Sequence, residues 1–210
     1  MSRRDGSPAG TLTGSGRTGE ILAAATELFN DKGFHSTTID DVGAAVGLTG
    51  PALYRYFRGK SELLVAIFDS TMDYLLGSAD PLQLADAAGE DALDTLIHLH
   101  IDYVLAHRSL MRIVRREVHS LPPEARERFR ANQRRYLEAW AGTLRRVRAD
   151  LDRDHAMAMV AGAVALANRY ARRDNEIEGS ELKAMMMAMV QAALLAPLPA
   201  LALDRPETES

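Results

Sequence analysis

The sequence predicts an all-α fold of about nine helices, arranged as a three-helix N-terminal unit and a larger C-terminal helical domain. Apolar residues recur at helical spacing through most of the 210 residues, and no segment shows the alternation typical of a strand. Apolar residues make up 47% of the chain and include nine methionines, whereas aromatic residues make up only 6%. This Ala-, Leu- and Met-rich composition favours a helical protein with a substantial core.

Composition divides the chain into two domains flanked by tails. Residues 1–15 show no periodicity and predict a disordered tail, and residues 199–210 predict a loose one. We expect a first domain over residues 16–62 and a second over residues 63–198, with a loop near Asp80 and Pro81.

The first two helices have clear start and stop signals. The first begins near Thr18, because apolar residues between positions 21 and 29 recur at helical spacing, and Gly33 marks its end. A short second helix follows Thr38, the expected N-cap, and two aspartates in its first turn suit the positive helix end. Gly47 suits the left-handed turn that ends it.

A third short helix completes a helix-turn-helix pattern. It begins at Thr49 or Gly50, has Pro51 in its first turn and runs to about Phe57, after which Ser61 is placed to cap a fourth helix. Two short helices joined by a tight glycine turn inside a three-helix unit are typical of this motif. The residues expected to face inward are Ile39, Val42, Val46, Leu48, Leu53 and Phe57.

The remainder of the chain is also helical in pattern. Two prolines at positions 122 and 123 break it firmly. We expect helices near residues 61–77, 89–107, 109–119, 124–148, 152–173 and 180–196.

Missing residue types and motifs exclude several classes of protein. The chain has no cysteine, so it contains neither a disulfide nor a thiolate metal site. It has no Glu-x-x-His pair, glycine-rich phosphate loop or Gly-x-Ser-x-Gly motif, and His98 and His100 point to different faces of a helix. We expect no catalytic residue, no metal and no cofactor. Without a signal peptide or a membrane-length apolar run, we expect a cytoplasmic protein without a membrane partner.

The charge is distributed unevenly along the chain. The net charge is −4, yet residues 1–60 carry seven Lys and Arg against six Asp and Glu. The stretch LTGPALYRYFRGK, residues 48–60, holds two tyrosines and three cations and no acid. A local basic patch on an acidic protein can bind phosphates, because distant exposed charges are screened. A helical adaptor that binds only protein would leave these cations without a role.

Residues 18–64, TGEILAAATELFNDKGFHSTTIDDVGAAVGLTGPALYRYFRGKSELL, carry a resemblance to a known family. The matching features are LF..KGF..TT, then I..VG.AVG, and finally L.G.ALYRYF..K..LL. This segment resembles the DNA-binding domain of the TetR family of bacterial transcriptional regulators. The resemblance implies double-stranded operator DNA as a partner. It implies nothing comparable about residues 85–196, where the family is diverse in sequence and similar mainly in helical layout.

The resemblance also implies which residues meet the DNA. Small residues in the first turn of a recognition helix allow close approach to base edges, and tyrosine hydroxyls and cations suit the phosphate backbone. Because few of these side chains can hydrogen-bond to a base, DNA shape is expected to carry part of the specificity. Backbone contacts are expected from Thr38, Thr49, Tyr54, Tyr56 and Lys60, and positions nearest the bases from Gly50, Pro51, Ala52 and Arg55.

The last two helices are the expected dimer interface. The segments at residues 152–173 and 180–196 are apolar on more than one face, so they must be covered on several sides. Two such helices from each subunit would form a four-helix bundle, which matches the homodimer usual in the family. The alternative is that both helices lie in the interior of one subunit.

An apolar core with a few polar groups is the expected effector site. His100 interrupts the apolar stripe of its helix, and Asn168 interrupts another. Ordinary core packing is the alternative for each of these residues taken singly. The candidate ligand-binding residues are His100, Tyr103, Met111, Glu117, Tyr136, Trp140 and Asn168.

Nine arginines between residues 126 and 153 form a run interleaved with acids. This pattern favours a solvated, ion-paired face, although an anionic ligand with a phosphate or coenzyme A group could use part of it. The sequence thus predicts a ligand-responsive repressor that binds a palindromic operator as a homodimer. We expect a small, largely apolar effector, lipid-like or an acyl thioester, to release it. An activator or an effector-independent regulator of the same fold is the alternative.

Overall fold

A computed structural model describes residues 16–80, 89–171, 177 and 179–198. Within these residues the chain forms nine α-helices, one short 3-10 helix at Val118–Ser120 and no strand, which confirms the predicted all-α class. The α-helices are α1 Arg17–Lys32, α2 Ile39–Ala45, α3 Gly50–Leu53, α4 Lys60–Ser78, α5 Gly89–Ala106, α6 Arg108–Glu117, α7 Pro123–Val147, α8 Arg153–Ala171 and α9 Gly179–Leu195.

Local signals set the ends of the first helices. Thr38 caps α2 in a capping box, in which its hydroxyl accepts from the N–H of Asp41 and the Asp41 carboxylate accepts from the N–H of Thr38. Gly47 has a φ of 67°, the left-handed conformation expected after α2. Thr49 is the N-cap of α3, and its hydroxyl accepts from the N–H of Ala52.

Two predicted boundaries are wrong. The third helix was expected to run to about Phe57, but α3 ends at Leu53 and the chain continues in turns that hydrogen-bond back to Leu53. Ser61 was expected to cap the fourth helix, whereas α4 begins at Lys60 after Gly59, with no side-chain cap. Gly59 offers no side-chain cap; instead, the carboxylate of Glu62 in the first turn of α4 accepts from the N–H of Arg58.

The two predicted tails, residues 1–15 and 199–210, lie outside the described residues, as do residues 81–88, where most of the predicted loop falls. No helix in the described part of the chain is both long and apolar enough to cross a membrane.

The C-terminal domain is a helical bundle around aromatic residues. Helix α7 packs against α4, α5 and α8, and α9 packs against α5 and α8. Phe68 of α4 meets Phe129 of α7 edge to face, with ring centroids 4.9 Å apart. Trp140 of α7 is the largest side chain among those that are fully buried. The bundle core therefore lies between α4, α5, α7 and α8.

The N-terminal unit is attached to this bundle in two ways. Helix α4 begins in the helix-turn-helix unit at Lys60 and ends in the bundle at Ser78. Helix α1 also packs along α6, where Arg112 donates from Nε to the side-chain oxygen of Asn30 at 3.0 Å. The guanidinium of Arg116 donates to the backbone carbonyls of Phe29 and Asn30 at the end of α1. The DNA-binding unit is thus held from α4 and from α6.

Candidate nucleic-acid interface and effector core

The segment after α3 exposes two aromatic rings to solvent, where they are available to a binding partner. Tyr54 and Tyr56 are 52% and 45% exposed, whereas Leu53 and Phe57 on the same segment are buried. Arg55 lies between the two tyrosines and is also exposed. The structure therefore separates the segment into a core face and a face on which rings and a cation are available to a partner, as the sequence predicted.

The small residues predicted nearest the bases lie at the start of α3. Pro51 is exposed, and Gly50 and Ala52 are partly exposed. None of these side chains can donate or accept a hydrogen bond. Thr49 is exposed, and its hydroxyl already accepts from the N–H of Ala52 at 3.4 Å. Gly50, Pro51 and Ala52 thus contribute no polar side-chain group to the first turn of α3, whereas the Thr49 hydroxyl keeps its own O–H as a donor.

Thr38 is exposed beside this surface and is engaged in its own helix cap. Its hydroxyl lies 2.7 Å from the carboxylate of Asp41, which also forms an ion pair with Lys32 at 3.1 Å. The Thr38 hydroxyl and N–H, together with Lys32, lower the pKa of Asp41 to about 2. The cap is thereby fixed at the end of α2, and the contact predicted between Thr38 and the DNA backbone stays a prediction.

Lys60 has an internal role that the sequence did not predict. Its ammonium donates to the carbonyls of Phe34, His35 and Thr37 at 3.0, 2.8 and 3.2 Å. It also lies 5.0 Å from the centroid of the Phe34 ring, within range of a cation–π interaction. An ammonium has three N–H donors, so these carbonyls can use all of them. Lys60 ties α4 to the α1–α2 loop, and its predicted phosphate contact stays a prediction.

The second candidate site lies in the bundle core. His100 is 2% exposed, and its Nδ1 shares a hydrogen bond of 2.9 Å with the hydroxyl of Tyr136. Trp140 is one helical turn from Tyr136, and its ring centroid is 5.8 Å from that of His100. Burial lowers the pKa of His100 to about 4, an effect that the neighbouring Asn168 partly offsets. The structure thus brings together four of the predicted ligand-binding residues.

Three of these residues carry a buried polar atom without a hydrogen bond of normal geometry, although Asn168 lies close enough to His100, and Trp140 to Tyr136, to influence the pKa of those groups. The atoms are Nε2 of His100, Nε1 of Trp140 and the side-chain oxygen of Asn168. Buried polar groups are nearly always paired, because an unpaired one loses its hydration without compensation. Within the described residues no other side-chain atom shares this condition. Hereafter these residues and Tyr136 are called the polar cluster.

Tyr103 lies one turn along α5 from His100 and faces α4. Its ring stacks on that of Tyr74 with centroids 4.5 Å apart. Burial raises the pKa of Tyr103 to about 12, and a hydrogen bond with Thr71 partly offsets this. Tyr103 therefore connects the polar cluster to the part of α4 that lies in the bundle.

The other two predicted ligand-binding residues are placed differently. Met111 is buried on α6. Glu117 is 6% exposed, and its carboxylate accepts from Arg116 at 2.8 Å and from Ser120 at 3.1 Å. Because Arg116 also binds the end of α1, Glu117 belongs to the contact between the domains. Its charge is already paired there, and its role as an effector ligand stays a prediction.

Sequence reasoning missed the arginines that join the domains. Arg112 and Arg116 lie one turn apart on α6, a spacing that indicates a common face. The sequence offers no signal for their partners, because the contacts on α1 lie more than 80 residues earlier.

A surface groove lies beside the bundle core, between the end of α4 and α7. Its volume is about 320 Å³, and its lining includes Ala79, Thr143 and Arg146. Thr143 is buried on the α7 face that also carries Tyr136 and Trp140. Arg146 is exposed and has no ion-pair or hydrogen-bond partner among the described residues. The groove thus presents the Arg146 cation next to the wall of the effector core, and its lining also includes Glu138, whose carboxylate is paired with Arg153.

The predicted dimer helices have alanine-rich outer faces. On α9, the alanines that lie four residues apart are exposed, and Val190 and Leu194 on the opposite face are buried. Helix α8 likewise exposes small residues and buries Ala163 and Val160. The exposed small residues are Ala158, Ala161, Gly162 and Ala165 on α8 and Ala184, Ala188 and Ala192 on α9.

Family models match both domains of the chain. Residues 21–67 match bacterial regulatory proteins of the tetR family, and residues 86–170 match the tetracyclin repressor-like C-terminal domain. The chain is 24% identical to the HTH-type transcriptional repressor KstR2 of Rhodococcus jostii over 198 residues. That alignment covers 90% of this chain and 97% of the relative.

Solved structures share the fold over most of its length. The regulator FadR of Bacillus subtilis in complex with stearoyl-CoA superimposes with a TM-score of 0.70 at 18% identity, over 87% of this chain and all of that one. AibR in complex with isovaleryl coenzyme A and operator DNA gives a TM-score of 0.70 at 20% identity, over 86% of this chain and 99% of that one. Together with the matches of both domains, these findings show that the chain belongs to the TetR family and is a DNA-binding transcriptional regulator without enzymatic activity.

Proposed function

We propose that this regulator is a ligand-responsive repressor that binds a palindromic operator as a homodimer and is released when a largely apolar effector enters the bundle core. The observation that carries the proposal is the polar cluster, in which three buried polar atoms lack a hydrogen bond of normal geometry within a largely apolar core. A bound molecule that pairs with these atoms would remove their desolvation penalty. Pairing of these buried atoms would therefore favour effector binding.

The cluster also limits the chemistry of the effector. The indole of Trp140 can only donate, the oxygen of Asn168 can only accept, and the free nitrogen of His100 can do either in the neutral ring. Because the pKa of His100 is lowered to about 4, the ring is neutral near pH 7. The cluster thus suits an uncharged oxygen group, such as a hydroxyl, a ketone or a thioester carbonyl, on an apolar molecule.

An acyl thioester fits the surroundings of the core. Its acyl chain and carbonyl would lie by the polar cluster, and its anionic part would use the unpaired Arg146 at the groove beside α7. Two regulators of similar fold were solved with acyl-coenzyme A molecules, which supports this class for the present chain. The alanine-rich faces of α8 and α9 support the homodimer, because small residues allow helices of two subunits to approach closely.

Helix α4 is the proposed route from effector to DNA. It carries Lys60 at its DNA-binding end and Tyr74 against Tyr103 at its bundle end. An effector that displaces the stacked tyrosines would tilt α4 and change the separation of the two recognition helices. In a two-fold dimer these helices read half-sites about one helical turn, roughly 34 Å, apart.

The required preference of the effector can be bounded. Shifting a mostly competent population to a mostly incompetent one needs a preference of about 10⁴ between the two forms, or roughly 5.5 kcal/mol. An apolar molecule that is buried more deeply in one form of the protein than in the other can supply this difference at about 0.8 kcal/mol per CH₂, whereas a small ion cannot. By linkage, operator DNA must weaken effector binding by the same factor.

The test uses Trp140, the only tryptophan in the chain, as a reporter. Stearoyl-CoA and isovaleryl-CoA are titrated into the protein bound to DNA from its own upstream region, while DNA release and tryptophan emission are recorded together. We expect DNA release and tryptophan emission to change over the same range of ligand concentration. Trp140→Phe should bind DNA normally but lose most of the ligand-induced DNA release. His98→Gln, on the solvent-exposed side of α5, is the control and should respond as the wild type does. If an effector releases DNA without a change in emission, and Trp140→Phe responds fully, the effector site lies elsewhere.

A further inference from the structure

Asp40 lies in the first turn of α2 and is exposed. Its neighbour Asp41 is occupied by the helix cap and by Lys32. Asp40, in contrast, forms no hydrogen bond or ion pair with any residue that the structure describes. It is therefore a free carboxylate on the helix-turn-helix surface.

The position of this carboxylate is set by Gly50, the first residue of α3. A Cβ added to Gly50 would lie 2.2 Å from Oδ1 of Asp40 and 3.4 Å from its Cγ. The backbone of Gly50 does not require glycine, because its φ is not positive, unlike that of Gly47. The Asp40 carboxylate occupies the space that a side chain at residue 50 would take, so any larger residue there would displace the carboxylate from this position.

This arrangement supplies the recognition helix with a polar group that its own sequence lacks. The N-terminal residues of a recognition helix contact base edges in the major groove. In α3 these are Gly50, Pro51 and Ala52, none of which can accept or donate through its side chain. The nearest side-chain acceptor that is not already engaged at this end of α3 is the carboxylate of Asp40.

A carboxylate is a selective reader of bases. It only accepts hydrogen bonds, and the amino group of cytosine is the donor that carboxylates read in the major groove. The acceptors N7 and O6 of guanine and O4 of thymine repel it, and adenine presents an N7 acceptor beside its amino group. It is also repelled by the phosphates, so a mismatch leaves its charge unpaired against the DNA.

We propose that Asp40 determines operator specificity by accepting a hydrogen bond from the N4 amino group of a cytosine in each half-site, and that Gly50 is small so that the carboxylate reaches it. This proposal adds to DNA binding, which the family establishes, and is independent of the proposed effector.

The test is a selection from random double-stranded DNA by the full-length protein, followed by sequencing. Wild-type protein should enrich cytosine at one symmetric position in each half-site. Asp40→Ala should lose about tenfold of discrimination at that position and keep the preferences at the others. Asp40→Asn should shift the preference there towards adenine, because an amide pairs with N6 and N7 of adenine.

Two further variants separate readout from structure. Gly50→Ala forces the carboxylate away and should lose the same cytosine preference as Asp40→Ala does. Asp73→Asn is the control for charge, because Asp73 is exposed on α4 and has no partner among the described residues, and it should leave every preference unchanged. If Asp40→Ala and Asp40→Asn bind all sequences more tightly and keep the wild-type preferences, Asp40 is only a repulsive charge and the proposal is wrong.

Discussion

The DNA-binding unit and the bundle core differ in whether their polar groups have hydrogen-bond partners. In the first, the ammonium of Lys60 binds three carbonyls and Thr38 and Asp41 satisfy each other. In the second, His100, Trp140 and Asn168 each bury a polar atom without a hydrogen bond of normal geometry. Each such atom costs about 1–3 kcal/mol. Lys60, Thr38 and Asp41 find their partners within the DNA-binding unit, and this contrast supports the proposal that a further molecule binds in the core.

The largest expected effect concerns the subunit interface that would hold two such units together. Ala188→Glu places a charge on the exposed alanine face of α9, and an unpaired charge in an apolar contact costs about 3–5 kcal/mol. We expect a folded monomer that has lost most of its operator affinity, as measured by sedimentation velocity and by DNA binding.

Ala131→Glu is the control for that change, because Ala131 is exposed on α7, outside the proposed interface, and it should stay dimeric. Ala163 is unsuitable for this test, although it lies on α8, because it is fully buried within one subunit and a charge there would unfold the chain. An Ala188→Glu protein that sediments as a dimer would move the interface to another surface.

The second prediction tests the electrostatic state of the core. Burial lowers the pKa of His100 from 6.5 to about 4, so the unfolded chain takes up a proton on this ring at a higher pH than the folded protein does. The neutral His100 ring therefore contributes its full share of the free energy of unfolding above pH 6.5, and this contribution is lost as the pH falls towards 4. The loss amounts to about 3 kcal/mol.

Urea unfolding at pH 7 and pH 4 measures this loss. The decrease should be smaller by about 3 kcal/mol in His100→Gln, whose amide does not titrate. His98 is the matched control, because it is half-exposed next to Asp94 and its replacement by Gln should keep the wild-type pH dependence. If His100→Gln showed the same decrease in the free energy of unfolding as the wild type, the pKa of His100 would not be lowered in the folded protein.

The third prediction concerns the hydrogen bonds that Lys60 forms within the DNA-binding unit. Lys60→Met would leave three carbonyls of the α1–α2 loop without their donor, and hydrogen bonds to a charged group contribute about 1.5–3 kcal/mol, less where water can replace it. We expect a lower free energy of unfolding, by about 1–2 kcal/mol, and weaker binding to all DNA sequences alike.

Lys32→Met removes the same charge from an exposed ion pair in the same unit and should change the stability by less than about 1 kcal/mol. If Lys60→Met weakened DNA binding while its unfolding stayed unchanged, the ammonium would be a phosphate ligand, as the sequence predicted, and its carbonyl contacts would be dispensable.

The range of each interaction along the chain explains what the sequence could predict. The cap at Thr38, the turn at Gly47 and the exposed Tyr54 follow from residues within a few positions, so the three-helix unit was predictable in outline. The helical spacing also placed His100 among apolar residues before its partners were known. By comparison, the acceptors of Lys60 lie 23 to 26 residues earlier.

The same reason accounts for what the sequence could not predict. Arg116 binds a carbonyl 87 residues earlier, so the sequence gives no sign that Arg116 and its neighbour Glu117 lie at the contact between α6 and α1. Likewise, the contact between Asp40 and Gly50 depends on the angle between α2 and α3, which no spacing rule supplies.

The smallest expected effect separates backbone contacts from base reading on the exposed face after α3. Tyr54→Phe keeps the ring and removes only the hydroxyl, which we expect to bind a phosphate, so about 1 kcal/mol of binding free energy should be lost on every sequence.

Arg55→Ala, at the neighbouring exposed position, should instead change which bases are preferred, because its guanidinium is expected near the base edges. Fluorescence anisotropy on an operator and on single-base variants distinguishes the two patterns, and the salt dependence of affinity should decrease only for Arg55→Ala, which removes a charge. A sequence-dependent loss in Tyr54→Phe would place that hydroxyl at a base and would reverse the two assignments.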